Sequence, residues 1–178
     1  MKTVFFDVDT QLDFLFPAGA LYVPGAEEIA PALAALTQCA KERDIPIVST
    51  TDTHLEDDPE FKLWRPHCVA GTHGWQKYAP TLVGQTLFEK NTFDFFENEK
   101  LRRLLDELAA ERFVVYGLVT EYCVRAAIFG LLKRKARVEL VRDAVRSLDP
   151  AKGHEVLTQF IEAGGRLVTA DEVLATKI

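Results

Sequence analysis

A chain of 178 residues, 48% of them hydrophobic, is long enough to bury one well-formed core, and a single domain spanning residues 1–178 is expected. Its net charge of −6 offers no basic stripe for a phosphate backbone, so nucleic acid is excluded as a partner. Three cysteines at irregular spacing, Cys39, Cys68 and Cys123, make neither a disulfide framework nor a zinc knuckle, and free thiols in a reducing compartment are expected. Met1-Lys2-Thr3 runs directly into Val4-Phe5-Phe6-Asp7, which is too short and too soon acidic for a secretory leader. No apolar run approaches the ~18 residues a membrane span needs. These features predict a cytoplasmic protein without membrane contact.

Short apolar runs alternate with helical patterns along the chain, the arrangement of a mostly parallel sheet of about six strands in a three-layer α/β fold. Strands are expected at about Thr3 to Val8, Pro46 to Thr51, Thr86 to Glu89, Arg112 to Tyr116, Arg137 to Leu140 and Arg166 to Thr169. Their unbroken hydrophobicity suits strands covered on both faces. Between them, Ala26 to Arg43 places Ile29, Leu33, Leu36 and Ala40 on one helix face. Leu101, Leu104, Leu105 and Leu108 repeat that spacing, as do Val124, Ile128, Leu131 and Leu132. Asp149-Pro150 opens a further helix, and Gly164-Gly165 closes it. The stretch from Asp52 to Gln85 keeps no period and is rich in Pro, Gly, His and Trp, the mark of a functional connection.

Ligands of open parallel sheets bind beyond the carboxyl ends of the strands, and Asp9, Asp52, His54, Lys90 and Cys123 all fall there. Cys123 lies where an apolar strand turns into an amphipathic helix. Helix N-terminal NH groups favour thiolate over thiol, so this cysteine reads as a nucleophile. A carboxylate within reach can take the thiol proton, and a lysine beside both favours the thiolate. Asp9 and Asp7 both compete for the role of base. Asp52-Thr53-His54 sets a carboxylate and an imidazole two residues apart, and Trp64-Arg65-Pro66-His67-Cys68 carries a second imidazole. One oxygen and two nitrogens with open positions make a catalytic-type site for zinc, with manganese or iron as alternatives. His73 and His154 are not expected to be ligands.

Three segments, Asp9-Thr10-Gln11-Leu12-Asp13-Phe14, Lys90, and Val119-Thr120-Glu121-Tyr122-Cys123-Val124-Arg125, each follow their own strand. In this order they resemble the isochorismatase-like cysteine hydrolases, the superfamily of nicotinamidase, N-carbamoylsarcosine amidohydrolase and isochorismatase. The resemblance implies a catalytic triad of Asp9, Lys90 and Cys123, the Gln and Asp-Phe after Asp9 deciding against Asp7. It also implies an oxyanion hole from the backbone NH groups of Val119 and Cys123, after a cis bond between Leu118 and Val119. The Asp-x-His pair and the later Trp-x-Pro-His-Cys segment are similar to nicotinamidases and set isochorismatases aside. They imply a divalent metal on Asp52, His54 and His67, with Glu60 as a fourth ligand and Glu56, Asp57 and Asp58 as alternatives. Phe14, Trp64 and Tyr122 are expected to wall a flat substrate ring, with core packing the competing role for Phe14. Phe93, Phe95 and Phe96 suit either that pocket or a subunit contact. The implied activity is hydrolysis of nicotinamide to nicotinate and ammonia, a step of NAD salvage, in a homo-oligomer. Alternatives are hydrolysis of another small amide or carbamoyl compound, or binding without catalysis.

Overall fold

The computed structural model describes residues 2–176. Six strands, β1 (Thr3–Val8), β2 (Ile47–Asp52), β3 (Thr86–Lys90), β4 (Arg112–Leu118), β5 (Arg137–Arg146) and β6 (Arg166–Val168), form one sheet. Their order is β3-β2-β1-β4-β5-β6, and every pairing is parallel. From β1 the chain winds one way to β2 and β3, then returns to β4 on the other side of β1. The switch point of the sheet therefore falls between the carboxyl ends of β1 and β4, where an open α/β sheet leaves a crevice.

Alternation along β1 feeds two cores. Phe5 packs with Leu33, Leu36, Tyr116 and Val173 on one face. Phe6 packs with Leu101, Leu105, Ile128, Leu131 and Phe160 on the other. The first face is covered by α1 (Leu12–Leu15), α2 (Ala30–Glu42) and α6 (Ala170–Ala175). The second is covered by α3 (Glu99–Leu108), α4 (Arg125–Lys133) and α5 (Pro150–Glu162). This is the three-layer arrangement read from the sequence.

Three local departures have physical causes. The helix expected from Ala26 begins as a 3₁₀ turn, Ala26–Ile29, and becomes α-helical at Ala30, because Pro31 is tolerated only in a first turn. β5 runs on to Arg146 although Arg142 and Asp143 are exposed and interrupt its apolar pattern. It does so because β4 resumes pairing past a bulge, with Gly117 opposite Val145. α1 and α6 are one or two turns long, too short for a sequence period to show.

Gly117 holds the switch point together. Its φ is +122°, and a Cβ there would lie 2.0 Å from the Val8 carbonyl oxygen. Only glycine lets β4 press this closely on the last residue of β1.

Asp7 is fully buried on β1 and is held by Lys77 at 2.6 Å, by the Thr10 hydroxyl at 2.9 Å and by the Ser49 hydroxyl at 3.0 Å. Lys77 belongs to the long connection, so this ion pair ties that connection to the centre of the sheet. Lys77→Met should therefore strand a buried carboxylate and cost about 3–5 kcal/mol. Its urea midpoint should fall accordingly, and an unchanged midpoint would show that the pair is not needed for stability.

Candidate active site

Asp9 follows β1 with a left-handed φ of 45°, an unfavourable conformation for a residue with a Cβ and one held here by its surroundings. The Thr50 hydroxyl donates to Asp9 Oδ1 at 2.7 Å. Oδ2 faces Lys90 Nζ at 2.8 Å and has no other partner among the described residues. Lys90, the last residue of β3, also reaches Cys123 Sγ at 3.3 Å and Asp52 Oδ1 at 3.0 Å. The structure thus brings Asp9, Lys90 and Cys123 together at the switch point, and all three are buried.

Cys123 lies in a π-helical turn, Thr120–Val124, that leads into α4. Burial opposes the helix end expected to favour a thiolate here. Burial pushes the thiol well above its ordinary pKa, the Lys90 cation pulls it down, and the Asp9 and Asp52 carboxylates push it up again. A base beside the sulfur is therefore needed to take its proton as it attacks. Lys90 is the converse case: burial disfavours its charge, but Asp9, Cys123 and Asp52 together raise its pKa well above that of a free lysine. The Leu118–Val119 peptide is cis, and Val119 and Cys123 both line the cavity described below.

Asp52 closes β2 and adjoins a second group. Its Oδ2 lies 3.1 Å from His54 Nε2 and 3.4 Å from His67 Nε2. Each imidazole directs Nδ1 to another oxygen, His54 to Asp58 at 3.0 Å and His67 to the Arg65 carbonyl at 2.9 Å. That arrangement leaves both Nε2 atoms facing one point, as ligand histidines require. One donor atom from each of Asp52, His54 and His67 lies within 4.8 Å of the others, so the residues fit a divalent cation. Burial resists ionisation of Asp52, yet Lys90, His54 and His67 hold its carboxyl well below the usual range. Burial likewise opposes charge on His54, but Asp52 and then Asp58 overcome it and raise its pKa to about 9.

Glu60 stands outside that three-residue cluster but lines the same cavity, where burial and the Asp52 charge raise its pKa while His54 and His67 lower it. Asp58 is an orienting group rather than a member of the cluster. One of its oxygens meets His54 and the other accepts the Glu60 backbone NH at 2.9 Å. Two members of the first motif have roles that sequence reasoning missed. The Gln11 amide donates to the Asp52 carbonyl at 2.8 Å and accepts the Asp52 NH at 2.7 Å, which fixes the backbone of that residue. Asp13 accepts the Cys68 NH at 2.7 Å and so anchors the segment bearing His67. Spacing alone carried no signal for either contact.

Phe14, Trp64 and Tyr122 line one cavity with Asp52, Glu60, His67 and Cys123. Trp64 and Tyr122 meet edge to face with centroids 5.4 Å apart, and Phe93 closes against Tyr122 at 5.2 Å. Of the three phenylalanines after Lys90, Phe95 belongs to the core, Phe93 is 43% exposed, and Phe96 packs on Gly130. The cavity holds about 20 Å³, far below the roughly 300 Å³ at which ligand pockets begin. Admitting a ring therefore requires these aromatic walls to move apart.

A thiol, a carboxylate, a buried ammonium and a metal-competent Asp-His-His cluster thus meet at the switch point of a parallel sheet. The Isochorismatase domain family matches residues 3–172, and the chain belongs to that family of hydrolases. It is 22% identical to the nicotinamidase of Escherichia coli (strain K12), over 91% of this chain and 92% of that protein. The pyrazinamidase of Pyrococcus horikoshii, solved in complex with zinc, is 30% identical with a TM-score of 0.88, covering 95% of this chain and 99% of that one. N-carbamoylsarcosine amidase from Thermoplasma acidophilum is 26% identical with a TM-score of 0.83, covering 96% and 98%.

Proposed function

We propose that this protein is a metal-dependent amidohydrolase of nicotinamidase type, converting nicotinamide to nicotinate and ammonia. The observation that carries this reading is the contact of Lys90 with Asp9, Cys123 and Asp52, at 2.8, 3.3 and 3.0 Å, which joins the thiol and the Asp-His-His cluster in one site. The similarity to nicotinamidase and pyrazinamidase sequences and structures supports the choice of substrate.

The carboxamide carbon lies against Cys123 with the ring between Phe14, Trp64 and Tyr122. As Sγ attacks, Asp9 Oδ2 takes the thiol proton, and Lys90 keeps the carboxylate in place while offsetting the growing negative charge. Backbone NH groups of Val119 and Cys123 receive the oxyanion. Asp9 returns its proton to the departing nitrogen, the C–N bond breaks, and ammonia leaves a thioester on Cys123. Asp9 then removes a proton from water, which attacks the thioester and releases nicotinate and the thiol. Asp52, His54 and His67, with Glu60 as a fourth donor, would hold a divalent metal, zinc by preference. When bound, that ion would supply Lewis acidity toward a ring nitrogen.

The test pairs metal analysis of the purified protein with ammonia release from nicotinamide and from N-carbamoylsarcosine. Chelation should suppress turnover of nicotinamide and added Zn²⁺ or Mn²⁺ should restore it. His54→Ala should weaken metal binding by about 100-fold or more, measured by competition with a chromophoric chelator, and Glu60→Ala should have the smallest effect of the four ligand substitutions. A protein that binds no metal and hydrolyses only the carbamoyl compound would overturn the nicotinamidase reading.

A further inference from the structure

A second and larger cavity, of about 630 Å³, lies between α4 and the segment that follows β3. One face of α4 lines it with Arg125, Phe129 and Lys133, spaced four residues apart, while Arg102 enters from α3 and Phe93 from the connecting loop. Arg134 also borders the cavity and is engaged with Asp106, whereas Arg102, Arg125 and Lys133 have no carboxylate partner among the described residues. Three unneutralised cations on one cavity of a chain with net charge −6 call for an anion. The two acidic lining residues are partly committed: Asp94 accepts the Phe96 NH at 3.0 Å, and Glu121 Oε1 accepts the Asp149 NH at 2.7 Å.

The remaining chemistry narrows the ligand. Arg125 already stacks its guanidinium over Phe129 at 5.3 Å, and Phe93 is 43% exposed, so flat apolar surface stands beside the cations. The volume is that of a small-molecule site. We propose that this cavity binds a phosphorylated molecule carrying a planar ring, of the nucleoside diphosphate class. The phosphates lie against Arg102 and Lys133, and the ring against Phe93 and Phe129. Phe93 and Tyr122 border both this cavity and the candidate active site, so the ligand sits beside the catalytic cavity without using its chemistry. The inference does not depend on the substrate assigned above.

The experiment titrates adenosine diphosphate into the full-length Cys123→Ala protein by calorimetry, with EDTA present so that phosphate cannot be drawn to a metal on Asp52, His54 and His67. Adenosine and inorganic pyrophosphate are titrated separately. Adenosine diphosphate should bind saturably, with each fragment at least about tenfold weaker, and Lys133→Glu and Arg102→Glu should each weaken it by about tenfold or more. Both substitutions are at exposed positions, and circular dichroism checks that the fold is kept. Absence of binding up to millimolar concentration, equal binding by pyrophosphate, or affinity unchanged in both variants would overturn the proposal. So would sedimentation showing two copies joined through this face and separated by the same charge reversals.

Discussion

Cys123→Ala should leave a folded protein that retains its metal and has lost turnover of nicotinamide by about three orders of magnitude or more. The change from thiol to methyl is small at a position that is 5% exposed, and the methyl group keeps the van der Waals contacts of the turn. It removes the sulfur that the proposed mechanism uses to attack the carbonyl carbon. Cys39 and Cys68 are the controls. Cys68 is fully buried beside the His67 segment and does not line the cavity that Cys123 borders. Ammonia release at more than a few per cent of the parent rate in Cys123→Ala would remove this residue from the mechanism.

Asp9→Asn should be almost as severe, because an amide cannot accept the thiol proton and cannot return one to the leaving nitrogen. Groups that act as one unit lose their joint contribution when any member fails. The double variant Asp9→Asn with Cys123→Ala should therefore be no worse than either single one by more than a few-fold. A strictly multiplicative loss in the double variant would mean that the two residues act independently. Asp7→Asn provides the contrast, since Asp7 faces Lys77, Thr10 and Ser49 and not the thiol. Its effect should appear in the denaturation midpoint before it appears in the rate.

The layering of the fold was readable because β1 alternates Phe5 and Phe6 between two cores and because Leu101, Leu105, Ile128 and Leu131 repeat at helical spacing. The bulge at Gly117 and the length of β5 were not, since both depend on how two strands pair and neither strand records its partner. The residues of the candidate site were nameable from type and order. Their electrostatics were not: the charge state of Cys123 depends on how deeply the turn is buried and on two carboxylates from other strands. Asp58 is the clearest case of the limit. Among several acidic residues in one loop, only coordinates distinguish the one that holds His54.

Lys90 rides on an edge strand. β3 pairs with β2 alone, whereas β1 and β4 each have neighbours on both sides, and three of the five β3 residues are exposed. Strands with a single neighbour open at lower free energy than central ones. Fraying of the edge would carry the ammonium away from Asp9 and Cys123 while the two cores stay intact. Thermal inactivation should consequently precede unfolding, and deuterium uptake at Thr86–Lys90 should outrun uptake at Thr3–Val8 across the same temperatures. Catalytic lifetime should then be set at the rim of the sheet, and reinforcing β3 should lengthen it without any change to the chemistry at its centre.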